Sequence, residues 1–215
     1  MKILNRLLSR SIASLLLLSS LTGCTKEAKT ERKLASAKEH LSKGDYAAAE
    51  IEYKNVLDMD PGNSKALRGL GIIWVGQGAT LEGAQVLSNA KTRFPEDDEV
   101  GYNFAKAMLD LVFIAEGRKG ILSLLDRSPA NGNALMLLAE SSVTPDLMTE
   151  CEDRLELSKA KDQASVLLAV ALIQLRRGEI EAGKYSVEQA IKKDPSFARA
   201  ISMLSLIHIS EPTRL

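Results

Sequence analysis

Apolar positions fall into two patterns along the chain. The first is a short block at residues 12–21, behind Lys2, Arg6 and Arg10. A bilayer-crossing helix needs about 20 apolar residues, so this block is too short to span. A positive start followed by a short apolar stretch is the pattern of an export signal. The second pattern begins after Lys26, where apolar and small residues alternate with charges of both signs, as on helices with one solvated face.

That second pattern repeats. Pro61, Pro95 and Pro129 are 34 residues apart, and Pro195 lies 66 further on, two short of twice that period. A second register does not depend on the prolines: Ala49, Gly83, Gly117 and Cys151 are 34 apart, Gly183 follows after 32, and all five are small. Both registers place a two-residue deletion between Ser158 and Gly183. Each repeat reads as two helices, A and B. Glycine at Gly44, Gly78 and Gly178 allows the turn between them. Proline ends helix B, because the residue before it disfavours the α region. The small residue lets the two backbones approach, with bulky residues filling the layers on either side. One pair cannot bury its apolar face alone, so at least three must stack. The expected fold is all-α, a solenoid of about five antiparallel helix pairs over residues 33–203.

A period of 34 with these slots resembles the tetratricopeptide-repeat (TPR) family over residues 30–203. In the first unit Gly44-Asp45-Tyr46 is the turn, Ala49 the small slot, Tyr53 the aromatic slot and Pro61 the exit. The second adds Leu67, Leu70-Gly71 and Trp74, with Gly78 at its turn; the last has Gly178-Glu179-Ile180, Gly183 and Ala190. The units around Tyr102 and Leu135 depart from the pattern. Neither has Gly-Asp at its turn, and the fourth lacks an exit proline. The resemblance implies a protein- or peptide-binding face built from helices A. Its candidate contacts are Lys38, Lys65, Arg68, Tyr102 and Lys106, with Ser42, Ile72, Met136, Glu140 and Arg176 beside them. Lys65, Arg68 and Lys106 are suited to a peptide carboxylate or acidic side chain. The family's Lys/Asn carboxylate clamp is not found here.

Leu21-Thr22-Gly23-Cys24 follows the apolar block and resembles a bacterial lipobox. The resemblance implies a signal peptide over residues 1–23, cleavage before Cys24 and acylation of Cys24, with residues 24–32 as a polar tether. Two or three acyl chains hold a protein on a membrane where one does not. Thr25 stands where lipoproteins retained at the inner membrane commonly carry Asp, which implies the outer membrane, facing the periplasm, in a Gram-negative host. The run Asp45 to Leu57 after a lipobox is similar to TPR lipoproteins of exopolysaccharide and exosortase-linked (PEP-CTERM) surface systems. Lipoproteins of outer-membrane or pilus assembly are competing matches.

Charge and chemistry narrow the function classes. The chain has 28 basic and 28 acidic residues. Three of the basic ones lie in the export-like segment, so the body is weakly acidic, which argues against nucleic acid as a partner. With two cysteines and two histidines, no metal-ligand spacing or nucleophile–base set can be assembled. No cofactor and no small-molecule substrate is implied. Cys151, at a small slot, reads as a buried structural thiol, and His40 as a packing residue with a polar edge. Gly69-Leu70-Gly71 and Gly76-Gln77-Gly78 lie within a helix and its turn, not in a phosphate loop between strand and helix. The partners expected are envelope proteins or peptides, and the membrane through Cys24. The chain reads as a scaffold and not an enzyme. The alternatives are the N-terminal TPR region of a larger enzyme and a soluble periplasmic peptide-binding module.

Residues 204–215 break the repeat and resemble the in-frame translation of a transposase-based sequencing-library adapter. The solenoid is accordingly expected to continue beyond Met203 in the natural protein, and the tail to add nothing to stability.

Overall fold

In the computed structural model, residues 26–210 are described. They form eleven helices, with no strand among the described residues. The first, α1, covers residues 26–42. It is followed by α2 (Tyr46–Met59), α3 (Ser64–Gly76), α4 (Thr80–Arg93), α5 (Asp98–Asp110) and α6 (Ile114–Arg127). Then come α7 (Gly132–Ser141), α8 (Pro145–Leu157), α9 (Ala164–Arg176), α10 (Ile180–Lys193) and α11 (Ala198–Ser210). Odd-numbered helices are the expected A helices and even-numbered ones the B helices: five pairs, with α11 as a further A helix.

The chain divides into two compact units, Met1–Arg93 and Phe94–Leu215. In the first, Leu34, Ala37, Ala49, Tyr53, Val56, Ala66 and Ile73 close a core between α1, α2 and α3. In the second, a longer core runs from Ala105 and Ile121 through Leu135, Leu138 and Cys151 to Leu168, Ile173 and Val187.

The punctuation of the sequence sets the helix ends. α2, α4, α6 and α10 each stop two residues before Pro61, Pro95, Pro129 or Pro195. Two residues after the first three of those prolines, Asn63, Asp97 and Asn131 accept backbone N–H bonds from the first turn of the next helix. Such caps satisfy donors that the helix itself cannot pair. At the small slots, a Cβ added to Gly117 or Gly183 would come within 2.6 Å of Leu109 or Leu175 on the paired A helix. Gly69 lies under the Tyr53 ring and Gly71 against Leu87, so both are packing glycines inside α3.

The A-to-B turns pass through a left-handed residue: Gly44 at φ 75°, Gly78 at 86° and Gly178 at 81°. Val112, 34 residues after Gly78, holds the same position at φ 65°. A side chain there costs about 1–2 kcal/mol, and Val112 is 76% exposed, so packing returns little. Glycine loses about 0.5–1 kcal/mol more chain entropy on folding. Val112→Gly is therefore expected to raise stability by about 0.5–1 kcal/mol, read as a higher urea midpoint; a lowered midpoint would show that this turn is not strained.

Three features differ from the sequence expectation. The two-residue shortfall in the repeat does not lie between Ser158 and Gly183 but between α7 and α8. The starts of those helices are 13 residues apart, where those of α3 and α4, α5 and α6, and α9 and α10 are 16 apart. Cys151 keeps the 34-residue spacing because small residues are common, which hides the shift. The other two are boundaries. Of the proposed tether, residues 26–32 already belong to α1, and Thr30 within them is buried. Lys, Glu, Ala and Arg dominate that stretch and are strong helix formers, so its polarity marks a solvated helix face. At the other end α11 continues through Met203 to Ser210. Ile207 joins the core of the second unit, with Met203 and Leu204 packed against it. Leu204 and Ile207 thus add packing, contrary to the expectation for the tail. The proposed signal peptide and lipobox (Leu21, Thr22, Gly23 and Cys24) lie outside the described residues, as do residues 211–215.

Candidate functional site

In the first unit, three of the candidate contacts converge. Lys38 on α1 and Lys65 and Arg68 on α3 line one recess of about 260 Å³ with Glu31, Leu34, Ala35 and Tyr53. The repeat brings them together: Glu31 and Lys65 are 34 residues apart, and their side chains meet at 3.3 Å. Both are more than half exposed, so this pair contributes little to stability. Buried Leu34 and Tyr53 with Ala35 give the recess an apolar floor, and the cations form its rim. Burial pushes the Tyr53 phenol above its ordinary range, partly offset by the nearby Arg68 charge. An apolar floor with cations above it is fitted to hold an aliphatic side chain next to a carboxylate.

In the second unit, Tyr102 and Lys106 on α5 sit near Glu140 on α7 and Arg199 on α11. Lys106 is 2.6 Å from Asp110, one turn along its own helix. Arg199, which the sequence reading did not single out, pairs with Glu140 at 2.8 Å. Burial raises the Tyr102 phenol, and charges of both signs lie around it: Arg199, Glu140, Lys106 and Asp110. This face is a balanced mixture of charges, unlike the cationic recess of the first unit. Met136 is buried and so does not face a ligand. The Arg176 guanidinium donates to the carbonyls of Ala139, Glu140 and Ser142 at the end of α7, which removes it from the binding face.

The main polar centre the sequence reading missed is Arg118 on α6. It is 6% exposed and pairs with Glu150 of α8. It also donates to the hydroxyls of Ser141 and Ser142, both at 2.9 Å. Next to it, burial pushes the Cys151 thiol up to about 12, so it stays protonated at neutral pH and is a poor nucleophile. Its spacing at the small slot indicated burial but not this polar surrounding.

The remaining candidates are structural. His40 Nδ1 lies 3.2 Å from Asp45 Oδ2 across the α1–α2 turn. The Trp74 indole donates to Glu50 at 3.1 Å, with the Lys54 ammonium 5.8 Å from its ring centre. Among the described residues, no group of three or more His, Cys, Asp or Glu is placed to hold a metal ion, and no helix is long and apolar enough to cross a membrane.

Comparison with known proteins agrees with the repeat geometry. Residues 34–98 match the model of the tetratricopeptide repeat. No curated protein sequence matches the chain. Among solved structures, a thermophilic TPR protein of Thermus thermophilus superposes with a TM-score of 0.71 at 14% identity, over 84% of this chain and 99% of that one. A tetratricopeptide repeat protein of Parabacteroides merdae gives a TM-score of 0.64 at 18% identity, over 85% of this chain and 73% of the other. The TPR protein YrrB, which has an unusual peptide-binding site, gives 0.56 at 13% identity, over 80% and 90%. The fold is that of tetratricopeptide-repeat proteins, and residues 34–98 carry the family's sequence pattern.

Proposed function

We propose that this chain is a lipid-anchored interaction scaffold of the bacterial envelope, whose first unit receives an acidic or carboxylate-ended peptide segment of a partner protein. The observation that carries this reading is the recess where Lys38, Lys65 and Arg68 stand over Leu34 and Tyr53. Residues 34–98, the part with the TPR pattern, include most of that recess. TPR proteins generally mediate protein–protein interactions, and YrrB supports the peptide class by analogy. The export-like start and the lipobox ending at Cys24 support anchoring, with the outer membrane as destination in a Gram-negative host and support of surface-polymer or protein export as the role.

The test uses the full chain and two peptides, one alternating Glu and Ala with a free C-terminus and one alternating Lys and Ala. The acidic peptide is expected to bind and the basic one not to bind at this recess. Lys65→Glu with Arg68→Glu should weaken acidic-peptide binding at least tenfold, while Lys106→Glu leaves it unchanged. In the host, Cys24→Ser should abolish fatty-acid labelling and release the protein from membranes. Undiminished binding in the double variant would remove the recess from the proposal, and unchanged labelling and fractionation would remove the anchor.

A further inference from the structure

The repeat register exposes a gap in the second unit. Leu70, Phe104, Leu138 and Val170 hold one register position on α3, α5, α7 and α9. The first three are buried, at 4%, 8% and 0% exposure. Val170, the smallest of the four, is only part-buried. It lines a recess of about 350 Å³ formed by α8, α9 and the turn into α10. Buried Leu155 and Ile173 complete its apolar floor. Three rim residues, Glu152, Asp153 and Glu156, come from α8, and Glu179 comes from the turn. Arg177 grips Glu152 with two bonds of 2.6 Å, which fixes that carboxylate; its charge also acts on Glu179, and Asp153 and Glu156 stand beside them on the rim. The connection from α8 to α9, residues 158–163, has six residues where the other connections from a B helix to the next A helix have four. A longer connection and a smaller floor residue together leave α8 and α9 with open space that bulkier residues fill at the other positions.

We propose that this recess is a docking site for a basic peptide segment, with one aliphatic side chain on Leu155, Val170 and Ile173 and a flanking Lys or Arg among Asp153, Glu156 and Glu179. Charge complementarity selects the occupant: the floor accepts an apolar anchor, and the rim rejects an acidic neighbour and attracts a cationic one. The site has the opposite sign to the cationic recess of the first unit and does not depend on it. One chain could then hold two segments of opposite charge.

The experiment measures fluorescence anisotropy of a labelled Lys-Lys-Leu-Leu-Lys-Lys peptide, and of its Glu-for-Lys counterpart, on the full chain. The basic peptide should bind, more weakly as salt rises, and the acidic one should not bind at this recess. Asp153→Lys with Glu156→Lys should lower the affinity at least tenfold. Val170→Leu places at this position the residue found at Leu70 and Leu138, fills the floor without changing charge, and should also lower the affinity at least tenfold while the melting temperature holds or rises. Lys65→Glu with Arg68→Glu serves as the control and should not weaken basic-peptide binding. Absence of binding would overturn the proposal. So would full affinity in Val170→Leu, which would reduce the effect to diffuse attraction by an acidic surface.

Discussion

Replacing Gly83 by leucine is expected to cost about 3 kcal/mol, at the upper end of what overpacking costs, whereas Lys106→Ala should stay within about 0.5 kcal/mol. A Cβ on Gly83 would lie 2.7 Å from Val75 Cγ2, 2.8 Å from the Gly71 carbonyl oxygen and 2.9 Å from the Val75 nitrogen. Two of those three atoms are backbone, so no rotamer change relieves the contact and α3 and α4 must move apart. Gly83→Ala sharpens the test. In an open helix, alanine would gain about 1 kcal/mol over glycine; here it should destabilise. Urea midpoints for the three variants decide the matter. A stabilising Gly83→Ala, or equal midpoints for Gly83→Leu and Lys106→Ala, would mean that the helices do not cross at this residue.

That crossing could be read from the sequence because it recurs. A close approach that must be made in every pair leaves a small residue in each period, and a helix that must end leaves a proline; both are one-residue requirements at fixed spacing. The convergence of Lys38, Lys65 and Arg68 was legible for the same reason, since equivalent positions on successive A helices are neighbours. What the sequence hid is whatever happens once. Val112 takes a glycine's conformation with nothing in its identity to say so. The Val170 recess depends on how far α8 sits from α9 across their six-residue connection, a tertiary distance with no sequence signature. Residues 26–32 read as a tether because strong helix formers and linker residues share the same charges. Arg176 read as a groove residue because its register faces the groove, but its long side chain reaches instead to the carbonyls ending α7.

That helix end carries the second large effect. α7 has ten residues where α3, α5 and α9 have thirteen, and its turn has no left-handed glycine to close the last carbonyls. Final-turn carbonyls have no partner within their own helix. Here Ser141 and Ser142 donate to the Leu138 carbonyl at 2.9 and 2.7 Å. Arg118 holds both hydroxyls from α6, while Arg176 covers the later carbonyls from α9. Arg118→Met keeps the buried stem but removes every charge-assisted bond, and should cost about 2–3 kcal/mol. Glu150→Gln removes only the carboxylate charge. The Glu150 side chain is 42% exposed, water supplements it, and the cost should stay under about 1 kcal/mol. The order of the two variants in urea unfolding separates two accounts of Arg118. If Arg118→Met is the more damaging, the arginine chiefly ties down the end of a shortened helix. If Glu150→Gln costs as much, the ion pair between α6 and α8 is the dominant contact, and the serines are held only incidentally.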